Sequence, residues 1–462
     1  MGQIDKKLRK EFDATRKNPK YLCNAPFCSV YISPGGLISP CWDSCNHTHG
    51  FHLENTINEI WKGKIFNEYR KNIKSNILLP ACECCENRLK DKEFYRLPIR
   101  EYDDFEVKRI GKNKIQTAKI YLSNTCNLKC IMCDESLSSQ FPRTTTYTKE
   151  ALNNSYLTDE LLKYATDLKV LMCLGGEPFL IEDYYKLWDK LINNNPQCEI
   201  YIITNGTILN DRIKDLLHRG NFKIQFSLHS LNKDTYEKIM VNANFETAIS
   251  NMDYFGSTMQ SQGKTFVIHT CALKANRYEI PKIVQYCNDK SYQINIRPVY
   301  KIYDVALYDL PSIELKDLQR YYKSIKFKGN GTNSHTNIAN YNDFVSSMDF
   351  WIDAANRKEN FKNIFDLKTD NIEKQKTFLF QNIYNAIKIQ TPNNIYEIEK
   401  KYEFVCTKFN RIMKSLPDYF NSNHFYNVLI KNSPTMIIEQ LTMYNDENTA
   451  KIFTEIFFEF KH

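Results

Sequence analysis

Three cysteines stand close together in "TCNLKCIMC" (125–133), with Cys126, Cys130 and Cys133 spaced C-x3-C-x2-C. Thiolates are soft ligands that select zinc or iron–sulfur clusters. Structural zinc asks for four protein ligands, usually two C-x2-C pairs separated by a gap. A [4Fe–4S] cluster on three thiolates instead leaves one iron open to an outside ligand. The trio by itself admits a zinc knuckle with a distant fourth ligand or an open cluster.

It is not the only cysteine group. Of fifteen cysteines, Cys23, Cys28, Cys41, Cys45, Cys82, Cys84 and Cys85 precede it. Clustering of this kind argues for metal ligation over disulfides in a reducing compartment. Cys173, Cys198, Cys271, Cys287 and Cys406 are isolated and read as small buried hydrophobes. "CNHTHGFH" crowds Cys45, His47, His49 and His52 and reads as a polar surface loop.

The elements that must position these groups change along the chain. Residues 1–115 are rich in turn residues and cysteine. "FCSVYISPGGLISPCW" (27–42) predicts a β-hairpin around Pro34, Gly35 and Gly36. Ile57, Ile60, Trp61 and Ile65 have helical spacing. Over 116–302 six short apolar runs, at 119–123, 169–174, 199–204, 223–228, 265–273 and 293–299, alternate with amphipathic stretches. That rhythm predicts parallel strands joined by right-handed helical crossovers. Six strands are too few for a closed eight-stranded barrel, so an open barrel or a doubly wound sheet is expected. From 303 to 462 the rhythm stops: "KGNGTNSHTN" (328–337) reads as a flexible loop, and the rest as helices, with Ile452, Phe453, Ile456, Phe457 and Phe460 on one face.

The trio follows the first of the six strands, and at this point the sequence resembles the radical S-adenosylmethionine (SAM) enzymes. Their C-x3-C-x2-C loop holds a [4Fe–4S] cluster whose fourth iron is chelated by SAM. "CLGGEPFL" (173–180) is similar to the family's GGEP motif, which implies a contact from the backbone near Gly175, Gly176 and Glu177 to the methionyl amino group. Paired glycines allow close backbone approach, and a carboxylate suits an ammonium. "IITNGTIL" resembles the TNG element near the ribose, with Thr204 and Asn205; "FSLHS" resembles a Ser-Leu-Asp segment in which Ser227 reaches the ribose or carboxylate. His229 stands where the family has Asp. "NIRPV", with Arg297, matches the strand against which the family packs adenine. Met132 replaces the aromatic residue that many members carry. The fold implied is α/β, a partial (β/α)6 radical SAM barrel over 116–302, followed by an all-α C-terminal domain over 303–462.

The early cysteines resemble the SPASM and twitch auxiliary-cluster domains: Cys23, Gly36 and Cys41, then a Glu59-Ile60-Trp61 helix, then Cys82 and Cys85 as a C-x2-C pair. The resemblance implies one auxiliary [4Fe–4S] cluster on Cys23, Cys41, Cys82 and Cys85, in a domain over 1–115 that precedes the barrel. Cys23 is preferred to Cys28 because it leaves the family's usual gap before Gly36, and Cys84 is expected to point away.

The activity implied is reductive cleavage of SAM, with a flavodoxin- or ferredoxin-type reductant, and hydrogen abstraction by the 5′-deoxyadenosyl radical. A peptide or protein is the expected substrate, although only 22 residues precede Cys23, too few for a winged peptide-recognition domain. Oxidation or epimerisation of a small molecule or sugar nucleotide is the alternative. A non-catalytic iron–sulfur electron carrier is a further one, but it has no need of the GGEP and Ser-Leu elements. A net charge of +8 over 462 residues is a mild excess and, with no RNA module apparent, does not call for nucleic acid. No stretch nears 18 consecutive apolar residues and the first residues lack an apolar signal core, so a cytoplasmic protein without a membrane span is expected.

Overall fold

The computed structural model describes the chain except residues 1, 18, 34–35, 43, 45–54, 91, 93, 95–96, 109–111, 143–153, 300–302, 330, 365–371, 391–394, 418–419, 421–422, 432–433, 444–445 and 460–462. Cys45, His47, His49 and His52 therefore lie outside the described residues. Two compact units are present, 1–352 and 353–462. The boundary falls beyond the sequence break at 302/303.

In the first unit the strands are β1 (Gly2–Gln3), β2 (Ser29–Ile32), β3 (Ile38–Ser39), β4 (Ile77–Leu78), β5 (Thr117–Tyr121), β6 (Val170–Leu174), β7 (Glu199–Thr204), β8 (Phe222–Ser227), β9 (Val267–Ala272) and β10 (Gln293–Pro298). Among the described residues the main sheet has eight strands in the order β10-β9-β8-β7-β6-β5-β2-β3. All neighbours are parallel except the β2–β3 hairpin. Strands β5 to β10, with their crossover helices, form the partial barrel. The hairpin is where expected, but its attachment is not: β2 pairs with β5 in parallel, Val30 opposite Ala118 and Ile32 opposite Ile120. The cysteine-rich segment thus extends the sheet. Nothing in the local pattern of β2 specifies that non-local pairing.

The alternation of apolar and polar residues decides which face is covered. Ile200, Ile202, Phe222, Ile224, Phe226 and Ile268 are completely or almost completely buried. Helices Glu182–Asn194 and Phe245–Ser261 cover them, Trp188 packing on Phe222 and Phe255 on Phe226. The opposite face carries Tyr201, Gln225, His269, Cys271 and Arg297. It is polar and, apart from Gln225, only partly covered. An open, polar face on an otherwise apolar sheet marks where ligands can enter.

Strand β10 is an edge, and unpaired edge groups invite association. The segment 328–337 answers this. It is not a free loop: helix Ser334–Ile364 begins inside it, and Asn337 is fully buried. Its Oδ1 accepts from the Ile294 N–H (2.9 Å), and Asn340 Nδ2 donates to the Ile294 carbonyl (3.0 Å). The Gly/Asn/Ser composition that reads as a loop supplies short amides that cap the edge.

The second unit is helical, including Ile372–Gln390, Ile395–Ser415, Asn423–Lys431, Pro434–Met443 and Asp446–Glu459. Ile383, Ile387, Val405, Phe409, Leu429, Leu441 and Phe453 form its core. Phe453 is thus inward as its spacing predicts; the side chains of Ile456, Phe457 and Phe460 lie outside the described set.

Candidate functional site

The trio leaves the C-terminal end of β5, and its loop is fastened on three sides. Towards the helix Lys233–Ile239, Lys129 N–H donates to the Val241 carbonyl and Ile131 N–H to the Ile239 carbonyl, both at 3.0 Å. Towards the following turn, Ser138 Oγ donates to the Leu128 carbonyl (2.7 Å) and Cys126 N–H to Ser139 Oγ (3.1 Å). Towards β7, Asn205 Nδ2 donates to Asn127 Oδ1 (3.0 Å) and lies 3.9 Å from Cys126 Sγ. These bonds tie the irregular loop to its neighbours, which helps it hold one shape.

The glycine pair is used as its type requires, although the backbone it approaches belongs to the chain itself. Gly176 N–H donates to the Ser123 carbonyl and Glu177 N–H to the Thr125 carbonyl (2.8 Å). A Cβ on Gly176 would sit 2.2 Å from the Thr125 oxygen, and Gly175 has φ +123. The loop after β6 is therefore pressed against the residues that lead into Cys126.

Glu177 is bonded within the chain. Its carboxylate is fully buried and already bonded: Oε1 accepts from Thr204 Oγ1 (2.8 Å) and Phe179 N–H (3.2 Å), Oε2 from Asn205 N–H (2.7 Å). Burial pushes its pKa up to about 7 against the pull of those donors. The side chain ties the ends of β6 and β7 together. Thr204 and Asn205 belong to the same network. Ser227 and Arg297 stand near the ends of β8 and β10 on the open face, Arg297 exposed.

His229 is buried, its Nδ1 accepts from Cys271 N–H (3.0 Å), and burial with His269 nearby lowers its pKa to about 3. It stays neutral and joins β8 to β9. Cys271, expected among the buried thiols, is half-exposed on the open face beside His269. Cys173, Cys198 and Cys287 are buried as expected, while Cys406 is intermediate. A motif search could not single out Tyr201, Gln225 and His269, which join through Tyr201 Oη–H to Gln225 Oε1 and Gln225 Nε2 to His269 Nδ1 (2.7 Å); only the strand register brings them together.

Among the described residues no three Cys, His, Asp or Glu side chains are set to grip one metal ion. A cubane places each thiolate on a different iron, so its ligands stand further apart than those of one zinc. The donor set fits. Cys130 and Cys133 influence each other's ionisation, the first thiol being raised and the second lowered. The Tyr236 hydroxyl is buried and has no hydrogen-bond partner.

The early cysteines come from separate stretches of the chain and meet in one apolar cluster. Cys28 and Cys85 are buried members of it, and Cys23, Cys41 and Cys82 pack against it. Cys28 ends the helix Ala25–Cys28 and donates its thiol to the Asn24 carbonyl (3.2 Å). Cys84 is exposed. Arg16, its guanidinium buried, pairs with Asp103 (2.9 Å) and bonds the Tyr21 and Leu22 carbonyls (3.1 Å), anchoring the approach to Cys23. Burial, with Cys41 adjacent, pushes the Cys23 thiol up to about 12.

Residues 120–287 match the family model of the radical SAM superfamily. The chain carries a radical SAM domain. Residues 23–86 match the SPASM model, an iron–sulfur cluster-binding domain, so that domain precedes the barrel. The radical SAM domain implies a [4Fe–4S] cluster and SAM, and the SPASM domain implies auxiliary iron–sulfur binding; a radical SAM domain supports an enzyme. Similar proteins include a GTP 3′,8-cyclase of Clostridium acetobutylicum, 26% identical over 46% of this chain and 65% of that protein. Another, from Clostridium perfringens, is 31% identical over 27% and 38%. The chain thus spans less than two thirds of the length of these relatives. Solved structures with some likeness include Streptococcus suis SuiB bound to precursor peptide SuiA (15% identity, 56% of this chain and 64% of that one, TM-score 0.36). A second is anSMEcpe with bound AdoMet (14%, 60% and 68%, 0.34). No described helix is long and apolar enough to cross a membrane.

Proposed function

We propose that Cys126, Cys130 and Cys133 hold a [4Fe–4S] cluster at which SAM is reductively cleaved, and that the 5′-deoxyadenosyl radical abstracts hydrogen from a peptide or protein. The observation that carries this reading is the trio's loop, braced from β6, β7 and the helix Lys233–Ile239 at the mouth of an open polar face. The cluster supplies the electron; the chain's residues orient and shield. With the Glu177 carboxylate spent internally, the backbone of Gly175–Glu177 is left to meet the methionyl amino group. Asn205 lies against Cys126 and holds the cluster side of the ribose pocket. Ser227 reaches the ribose or carboxylate, and Arg297 the adenine side. Neutral His229 positions β9 and moves no proton. Cys23, Cys41, Cys82 and Cys85 hold one auxiliary [4Fe–4S] cluster, supported by their convergence in one apolar cluster. A flavodoxin- or ferredoxin-type protein donates electrons.

The names of the relatives favour a second reading, a small-molecule substrate of nucleotide type. Reconstituted, reduced protein should form 5′-deoxyadenosine from SAM at a low rate alone and faster with its substrate. Peptides encoded by adjacent reading frames and, separately, GTP are the two probes. Acceleration with consumption of GTP, and none with any peptide, would replace the first reading by the second.

A further inference from the structure

Tyr236 has no part in the SAM-contacting elements, yet its surroundings are unusual. The side chain is completely buried, its ring meets Phe245 edge-on at 5.4 Å, and its hydroxyl has neither donor nor acceptor. A buried hydroxyl without a partner costs about 1–3 kcal/mol, so a fold that keeps one needs a compensation. Its position suggests what that is. The helix Lys233–Ile239 that carries it runs into the two backbone bonds from Lys129 to Val241 and from Ile131 to Ile239. Those bonds bracket Cys130.

We propose that Tyr236 is a positioning residue for the SAM cluster, donating its O–H to the Cys130 thiolate once the cluster is bound. This rests on the assignment of the trio given above. Hydrogen bonds to cluster sulfurs help set the reduction potential. A donor stabilises the reduced form, which carries more negative charge, so Tyr236 raises the potential of this cluster. Phenylalanine keeps the ring and its packing while removing only the donor.

The test compares wild-type and Tyr236→Phe protein in two states. In the apoprotein the hydroxyl is unpaired, so the urea midpoint of Tyr236→Phe should equal or exceed that of wild type. In the reconstituted protein with full iron content, potentiometric electron paramagnetic resonance should show the SAM-responsive cluster shifted to more negative potential, with altered g-values. The auxiliary cluster, which SAM does not perturb, should stay put and serves as internal control. Unchanged potential and g-values overturn the proposal. So does equal destabilisation of apo and reconstituted protein, which is the mark of a packing role alone. A wild-type protein with no SAM-responsive cluster would sink the trio assignment itself, whatever Tyr236 does.

Discussion

The two cysteine groups reach their sites by opposite routes. Cys126, Cys130 and Cys133 lie within eight residues of one another and are carried by one loop, whose backbone is bonded on three sides. Cys23, Cys41, Cys82 and Cys85 span more than sixty residues, and burial in a shared apolar cluster brings them together. The first site depends on the geometry of a loop end, the second on packing. Substitutions should therefore fail differently in the two places: locally and chemically in the first, through coupled losses of packing and ligation in the second.

The largest contrast comes from removing the trio. The Cys126→Ala/Cys130→Ala/Cys133→Ala protein should form no 5′-deoxyadenosine, yet retain its fold and its auxiliary iron. Cleavage at the wild-type rate would remove the distinction between the groups. Next is the choice within the auxiliary set. In the trio-free background, Cys23→Ala should lose the remaining iron, whereas Cys28→Ala should keep it and lose about 1–2 kcal/mol from a buried thiol. Iron analysis with urea denaturation separates the two, and the reverse pattern would make Cys28 the ligand.

A smaller effect tests whether loop geometry governs the trio. Gly176→Ala places a methyl 2.2 Å from the Thr125 oxygen, so the loop before Cys126 must move. We expect loss of about 1–3 kcal/mol and roughly tenfold slower SAM cleavage, with auxiliary iron intact. Full activity would mean that the braced loop tolerates displacement.

The smallest is a pH effect at Glu177. Its folded pKa of about 7 lies above the ordinary 4.5, so the fold favours the protonated acid. The stability this contributes is complete below pH 4.5 and is lost as pH rises through 7, a decline of about 3 kcal/mol. Glu177→Gln gives up the acceptor for Asn205 N–H but should show no decline of its own over that window. Urea midpoints at intervals between pH 5 and 8 give the difference curve, and parallel curves for the two proteins would contradict the burial.

Much of this was legible in the sequence because it is local. The six strands of the barrel follow from short apolar runs, whose alternation also separates the buried face from the open one. The trio's spacing and its place after β5 mark a candidate cluster loop, and the GGEP glycines announce a close backbone approach. Loop and strand signals are written in neighbouring residues, which interact at short range. What lies across the sheet was not legible. The pairing of β2 with β5, the inward turn of Glu177, the Asn337 cap on β10, the Tyr201–Gln225–His269 chain and the bonds of Lys129 and Ile131 to the end of the helix Lys233–Ile239 join residues far apart in the chain. Only the register of parallel strands and the packing of crossover helices bring such residues together. The sequence by itself determined the chemistry available, three thiolates on an α/β frame with a second thiol group ahead of it. The tertiary structure decided which polar groups are spent holding loops together and which face the open side, because burial and hydrogen bonding depend on neighbours that no local spacing specifies.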